Sequence, residues 1–66
     1  MLLKVTKMTC NHCVRSVTQA IQSVAPGAKV EVDLARQSVR VDGAADAAAV
    51  AHAIEAEDYQ VEVVEA

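Results

Sequence analysis

The sequence predicts an α+β fold in which two helices cover one face of a four-stranded antiparallel sheet, in the order βαββαβ. Three observations lead there. Four short stretches alternate apolar and polar residues, and two longer ones repeat apolar residues every three or four positions. Turn-forming residues separate them, most plainly Pro26-Gly27 and Gly43. The chain has 66 residues, enough for one small core and no second one, so residues 1–66 are expected to form a single domain.

The elements follow in order. Residues 2–7 read as a strand, with Leu3 and Val5 on one face and Lys4 and Thr6 on the other. Residues 8–12 form a polar loop. Over 13–25, Val14, Val17, Ile21 and Val24 make one helical stripe, which Pro26-Gly27 ends. Residues 28–34 alternate Ala28, Val30, Val32 and Leu34 against Lys29, Glu31 and Asp33. Ala35-Arg36 is a tight connection to a second alternating stretch, 37–42, with Val39 and Val41 inward. Asp46 is positioned to cap a second helix over 47–57, whose apolar face is Ala47, Val50, Ala51 and Ile54; the alanine-rich run Ala44–Ala49 reads as helical. Residues 59–64 close the fold, with Tyr59, Val61 and Val63 alternating against Gln60 and Glu62. Two βαβ halves joined by a hairpin make the ferredoxin-like arrangement. That topology puts the loop Met8–Cys13 and the loop Glu57–Tyr59 at the same end of the sheet.

Composition narrows the function. Apolar residues are 53% and charged residues 23%, as in a folded domain. One Tyr and no Trp or Phe leave nothing for base stacking, and a net charge of −3 leaves no basic face for duplex DNA, so nucleic acid is excluded as a partner. No apolar run is long enough for a leader or a membrane span, so the expected location is the cytoplasm, without membrane insertion and with both cysteines reduced. The charge is uneven. Lys4, Lys7, Arg15 and Lys29 outnumber the acids of the first half, whereas acids dominate the second. With a core of Val, Ala, Ile and Leu, a chain of this size should have a net stability of about 3–5 kcal/mol.

Chemistry concentrates in Met8-Thr9-Cys10-Asn11-His12-Cys13. Two cysteines separated by two residues can aim both sulfurs at one point. They sit where a strand turns into a helix, and the free N–H groups and positive end of that helix favour thiolate. Thiolates are soft ligands that select Cu(I) and also take Hg(II), Zn(II) or Cd(II). A structural zinc site wants four ligands. One CxxC, with His52 alone on the second helix, does not supply them, whereas a two-sulfur, roughly linear Cu(I) site is complete. An open two-ligand site also suits transfer, because an incoming thiolate attacks without first displacing a third ligand.

With this motif between the first strand and first helix of a βαββαβ chain, the sequence resembles the heavy-metal-associated domain family, and within it the small bacterial Cu(I) chaperones. The likeness runs along essentially the whole chain. Met8–Cys13 carries it, and Tyr59 matches the tyrosine that those chaperones hold in the loop beside the metal. The resemblance implies Cu(I) bound by Cys10 and Cys13 and passed to the like-folded metal-binding domain of a copper-transporting P-type ATPase, or to a copper-responsive transcriptional regulator. It implies that Met8 packs into the core beneath the loop, the alternative being a thioether ligand, and that Tyr59 shields the thiolates, the alternative being simple packing in its strand. His12 is an alternative third ligand where copper bridges a dimer; without metal the chain is expected to be a monomer. Zinc- and cadmium-exporting relatives often carry an Asp where this chain has Thr9, which cannot supply a carboxylate. Two positions depart from the pattern: Lys7 and Asp58 stand where the family usually has glycine before the Met and before the Tyr. Lys4, Lys7 and Arg15 would orient docking on an acidic partner face.

Other readings are weaker. Mercury-binding relatives share the pattern, but the periplasmic ones carry a leader. A domain cut from a P-type ATPase would look similar, although a chain running from Met1 to Ala66, just past its last strand, is expected to be free-standing. A thiol–disulfide oxidoreductase would need a longer chain, and Asn11-His12 replaces the Gly-Pro type of spacer. Ser16 and His12 lack an orienting carboxylate for hydrolysis. The sequence therefore reads as a binding protein and not an enzyme.

Overall fold

The computed structural model describes residues 1–43 and 45–65. Its elements are β1 (Leu2–Thr6), α1 (Asn11–Val24), β2 (Lys29–Asp33), β3 (Ser38–Asp42), α2 (Ala47–Glu55) and β4 (Gln60–Glu65). The strands form one sheet in the order β2-β3-β1-β4, with every neighbouring pair antiparallel. Both helices pack on one face, so the ferredoxin-like arrangement expected from the periodicity is the one adopted.

The core follows from alternation. Leu3 and Val5 of β1 and Val39 and Val41 of β3 point to the helices and are almost completely buried, while Lys4 and Arg40 between them face outward. Leu3 lies opposite Val39 in the register. α1 contributes Val17 and Ile21, α2 contributes Val50 and Ile54, and Met8, Ala25 and Ala28 close the ends of the cluster. Among the described residues no polar or charged side chain is buried.

Several boundaries differ from the periodic reading. α1 starts at Asn11, two residues earlier than expected, because outward-facing first-turn positions tolerate polar side chains and so Asn11 and His12 carry no apolar signal. The stripe of α1 stops at Ile21. Val24 is 45% exposed, and Ala25, whose N–H donates to the Ile21 carbonyl at 2.8 Å, takes the buried place one turn on. α2 ends at Glu55, not 57. The N–H groups of Glu57 and Asp58 bond back to the Ile54 and Glu55 carbonyls at 3.0 Å, tightening the chain into a turn that Asp58 leaves with a positive φ of 70°. Val63 is 39% exposed because β4 is an edge strand, with an irregular register where it meets Leu2 and Leu3. The hairpin turn spans Leu34–Gln37, with the Asp33 carboxylate accepting from the Arg36 N–H at 3.2 Å. Of the run Ala44–Ala49 only Ala47 onward is helical; Ala44 and Ala66 lie outside the described residues.

Two details fix the ends of the elements. The Asp46 carboxylate accepts from the Ala48 N–H at 3.1 Å, so the expected cap is formed. Gly43 has φ 122°, and a Cβ there would lie 3.2 Å from the Ala28 Cα, so only glycine lets the chain leave β3 against the start of β2. No described helix is long and apolar enough to cross a membrane.

Candidate metal centre

The loop between β1 and α1 is anchored from below. Lys7, with φ 74°, turns the chain out of β1, and Met8 drops into the core with no exposed surface. Its thioether is therefore packed in the core and is not presented at the surface. Thr9 and Cys10 return to the surface. Cys10 is the N-cap of α1, extended at φ −149° and ψ 171°, and its carbonyl accepts the Val14 N–H at 3.2 Å. No side chain caps this end and the first turn holds no acid. The first amides of α1 are thus left without intrahelical partners, beside the sulfurs.

The two sulfurs lie 3.4 Å apart, both as free thiols, Cys10 exposed and Cys13 half-buried against the core. Metal–thiolate bonds run to about 2.3 Å, so a linear S–metal–S unit needs sulfurs roughly 4.6 Å apart. Cys10 can open that gap by a side-chain rotation, since its thiol is exposed.

Cys13 is the prepared member of the pair. Its pKa falls from an ordinary 9.0 to about 7, chiefly because the Tyr59 phenol donates to the thiolate, with further help from the backbone of Thr9 and the Cys10 thiol. The same bond pushes Tyr59 up to about 12, because losing its proton would place a phenolate against Cys13 in a partly buried spot. When Cys13 is protonated, its thiol donates instead to the Lys7 carbonyl at 3.9 Å. The loops Met8–Cys13 and Glu57–Tyr59 therefore do meet, as their placement at one end of the sheet requires. Tyr59→Phe removes the dominant donor. Iodoacetamide capture at Cys13 should then reach half its plateau rate at a pH well above 7, moving toward 9, because thiolate forms only above the raised pKa. An unchanged midpoint would remove Tyr59 from the site.

The remaining candidates stay apart. His12 is exposed on the first turn of α1, and among the described residues no group of three or more His, Cys, Asp or Glu side chains could hold an ion. His52 is exposed in the last turn of α2. Lys4 faces outward from the middle of β1, on the side of the sheet away from the helices and opposite Ser38 and Glu62, so the cations of the site loop and helix reduce to Lys7 and Arg15. Exposed Glu57 and Asp58 form the facing loop. The Lys7 carbonyl is a contact that spacing did not reveal; its only signal was a lysine at a position where the resemblance expects glycine.

The chain matches the heavy-metal-associated domain family over residues 2–60. It is 48% identical over 54 residues to copper-transporting ATPase 2 of Rhizobium meliloti (strain 1021), an alignment that covers 79% of this chain and 6% of that protein. Among solved structures, the copper chaperone Atx1 from Synechocystis superposes with a TM-score of 0.88 at 32% identity, covering 94% of this chain and 98% of that one. A CopZ metallochaperone superposes at 0.85 with 27% identity, covering 94% and 97%.

Proposed function

Because the chain belongs to the heavy-metal-associated domain family, with a copper-chaperone-like fold, we propose that it binds Cu(I) through Cys10 and Cys13 and delivers it by ligand exchange to the metal-binding domain of a copper-transporting P-type ATPase. One observation carries the reading: an exposed pair of free thiols 3.4 Å apart at the bare N-terminus of a helix, with no third ligand beside it among the described residues. Soft thiolates suit Cu(I), and two ligands complete a linear site. The same poverty of ligands leaves zinc, which wants four, poorly served.

Exchange then needs no redox chemistry. A partner thiolate bonds to the two-coordinate Cu(I) and makes a three-coordinate shared intermediate. The bond to Cys10 or Cys13 breaks, the copper stays Cu(I), and the departing thiolate is free to take a proton from water. Tyr59 favours the charged form of Cys13 and so steadies the thiolate when it bears its full charge. The relation to an ATPase supports the choice of partner, since a like-folded domain can present a matching pair of thiols. Lys7 and Arg15, exposed beside the pair, favour an acidic docking face.

The test is a competitive Cu(I) titration against a coloured chelator, anaerobic and reducing, on the wild type and on C10S/C13S, with Zn(II) in parallel. One Cu(I) per chain, lost in the double variant and accompanied by much weaker zinc uptake, is the expected result. Zinc held more tightly than copper would overturn the assignment.

A further inference from the structure

Three described non-glycine residues have positive φ, namely Lys7 at 74°, Gln37 at 51° and Asp58 at 70°. Two of them flank the thiol pair, one in each of the loops that meet there. A residue with a Cβ is disfavoured in this region, and it persists only where its neighbours over-determine it. The neighbours can be named. Lys7 is held between the β1 ladder and fully buried Met8. Asp58 is held between its own N–H bond to the Glu55 carbonyl at 3.0 Å and half-buried Tyr59, which packs on the core. Neither side chain helps: both are exposed, and neither makes a hydrogen bond or ion pair among the described residues. The strain is thus imposed by the fold and is not stabilised locally.

Both strained residues border groups that bear on the same sulfur. The Lys7 carbonyl lies 3.9 Å from the Cys13 Sγ, and Asp58 immediately precedes Tyr59, the side chain that chiefly favours the Cys13 thiolate. A return of either backbone to an ordinary conformation would withdraw one of these groups from Cys13. Resting on the copper reading above, we infer that Lys7 and Asp58 are positioning residues whose strained backbones keep the two loops poised to open, and so set how quickly bound Cu(I) is surrendered. An incoming thiolate needs room beside the metal, and an opening loop supplies it. The exchange balances as before: one metal–sulfur bond forms as another breaks, with no change in oxidation state.

Glycine and alanine separate strain from charge. Lys7→Gly and Asp58→Gly remove both charge and strain; Lys7→Ala and Asp58→Ala remove the charge and keep the strain. In the metal-free protein, amide hydrogen exchange over Met8–Cys13 and Glu57–Tyr59 should slow about three- to tenfold in the glycine variants, because the closed loop no longer gains by opening. The alanine variants should keep the wild-type exchange rate. With Cu(I) loaded, release to excess bicinchoninate should slow by a similar factor in the glycine variants, while circular dichroism confirms that all four are folded. Glycine variants that exchange amides as fast as the wild type would overturn the proposal, and so would alanine variants that slow as much as the glycine ones. Should the wild type take no Cu(I), the copper reading fails, and the amide measurements still decide whether the loops are spring-loaded.

Discussion

Replacing either cysteine alone with serine is expected to weaken Cu(I) binding by at least about a thousandfold, the order by which tethering a second ligand can raise affinity. The two sulfurs are 3.4 Å apart at one helix end, so the second thiolate reaches the metal at little entropic cost once the first has bound. A serine hydroxyl at neutral pH is neither anionic nor soft, and it cannot replace that bond. The two variants should not be equal. Cys13→Ser removes the thiol whose pKa lies near 7. Cys10→Ser keeps the prepared thiolate. Cys13→Ser is therefore expected to be the weaker binder of the two at pH 7. Equal affinities at pH 7, or near wild-type affinity in either variant, would show that the pair does not act as one chelate.

Ile54→Ala should unfold most of the protein at 37 °C. Ile54 is fully buried where α2 meets the sheet, and a truncation of this kind costs about 2–5 kcal/mol. A chain of this size has only about 3–5 kcal/mol in total. Val24→Ala, of similar chemistry but 45% exposed at the end of α1, should change stability by less than about 0.5 kcal/mol. Urea unfolding followed by circular dichroism separates the two. If metal binds only the folded chain, copper at a thousandfold excess over its dissociation constant returns about 4.1 kcal/mol and should refold the Ile54 variant. An Ile54→Ala protein as stable as the wild type would mean that the second helix adds little to the core.

Much of this molecule is legible in its amino-acid sequence. Alternation marks all four strands, since burying one face of a sheet requires apolar residues at every second position. Asp46 announces a cap that forms. Met8–Cys13 names the thiols because two cysteines at that spacing, between the first strand and first helix of a βαββαβ chain, can aim both sulfurs at one point. The failures share a cause. Val24 belongs to the stripe by spacing yet lies in solvent, because the stripe does not say how far the sheet extends beneath it. Val63 alternates correctly yet sits on an edge strand that nothing covers on its far side. Asn11 and His12 are helical without an apolar signal.

The site divides in the same way. Sequence alone determined which atoms are soft enough for Cu(I) and that they stand at the start of a helix, because ligand chemistry and local backbone geometry belong to neighbouring residues. Only the tertiary structure decided that Tyr59, 46 positions beyond Cys13, is the side chain that chiefly lowers its pKa. It also decided that Lys4 turns away from the site and that Lys7 and Asp58 hold left-handed backbones on either side of it. Those outcomes depend on packing two βαβ halves against each other. A contact between distant loops, and a strain that only the surrounding core can impose, exist once that packing is made.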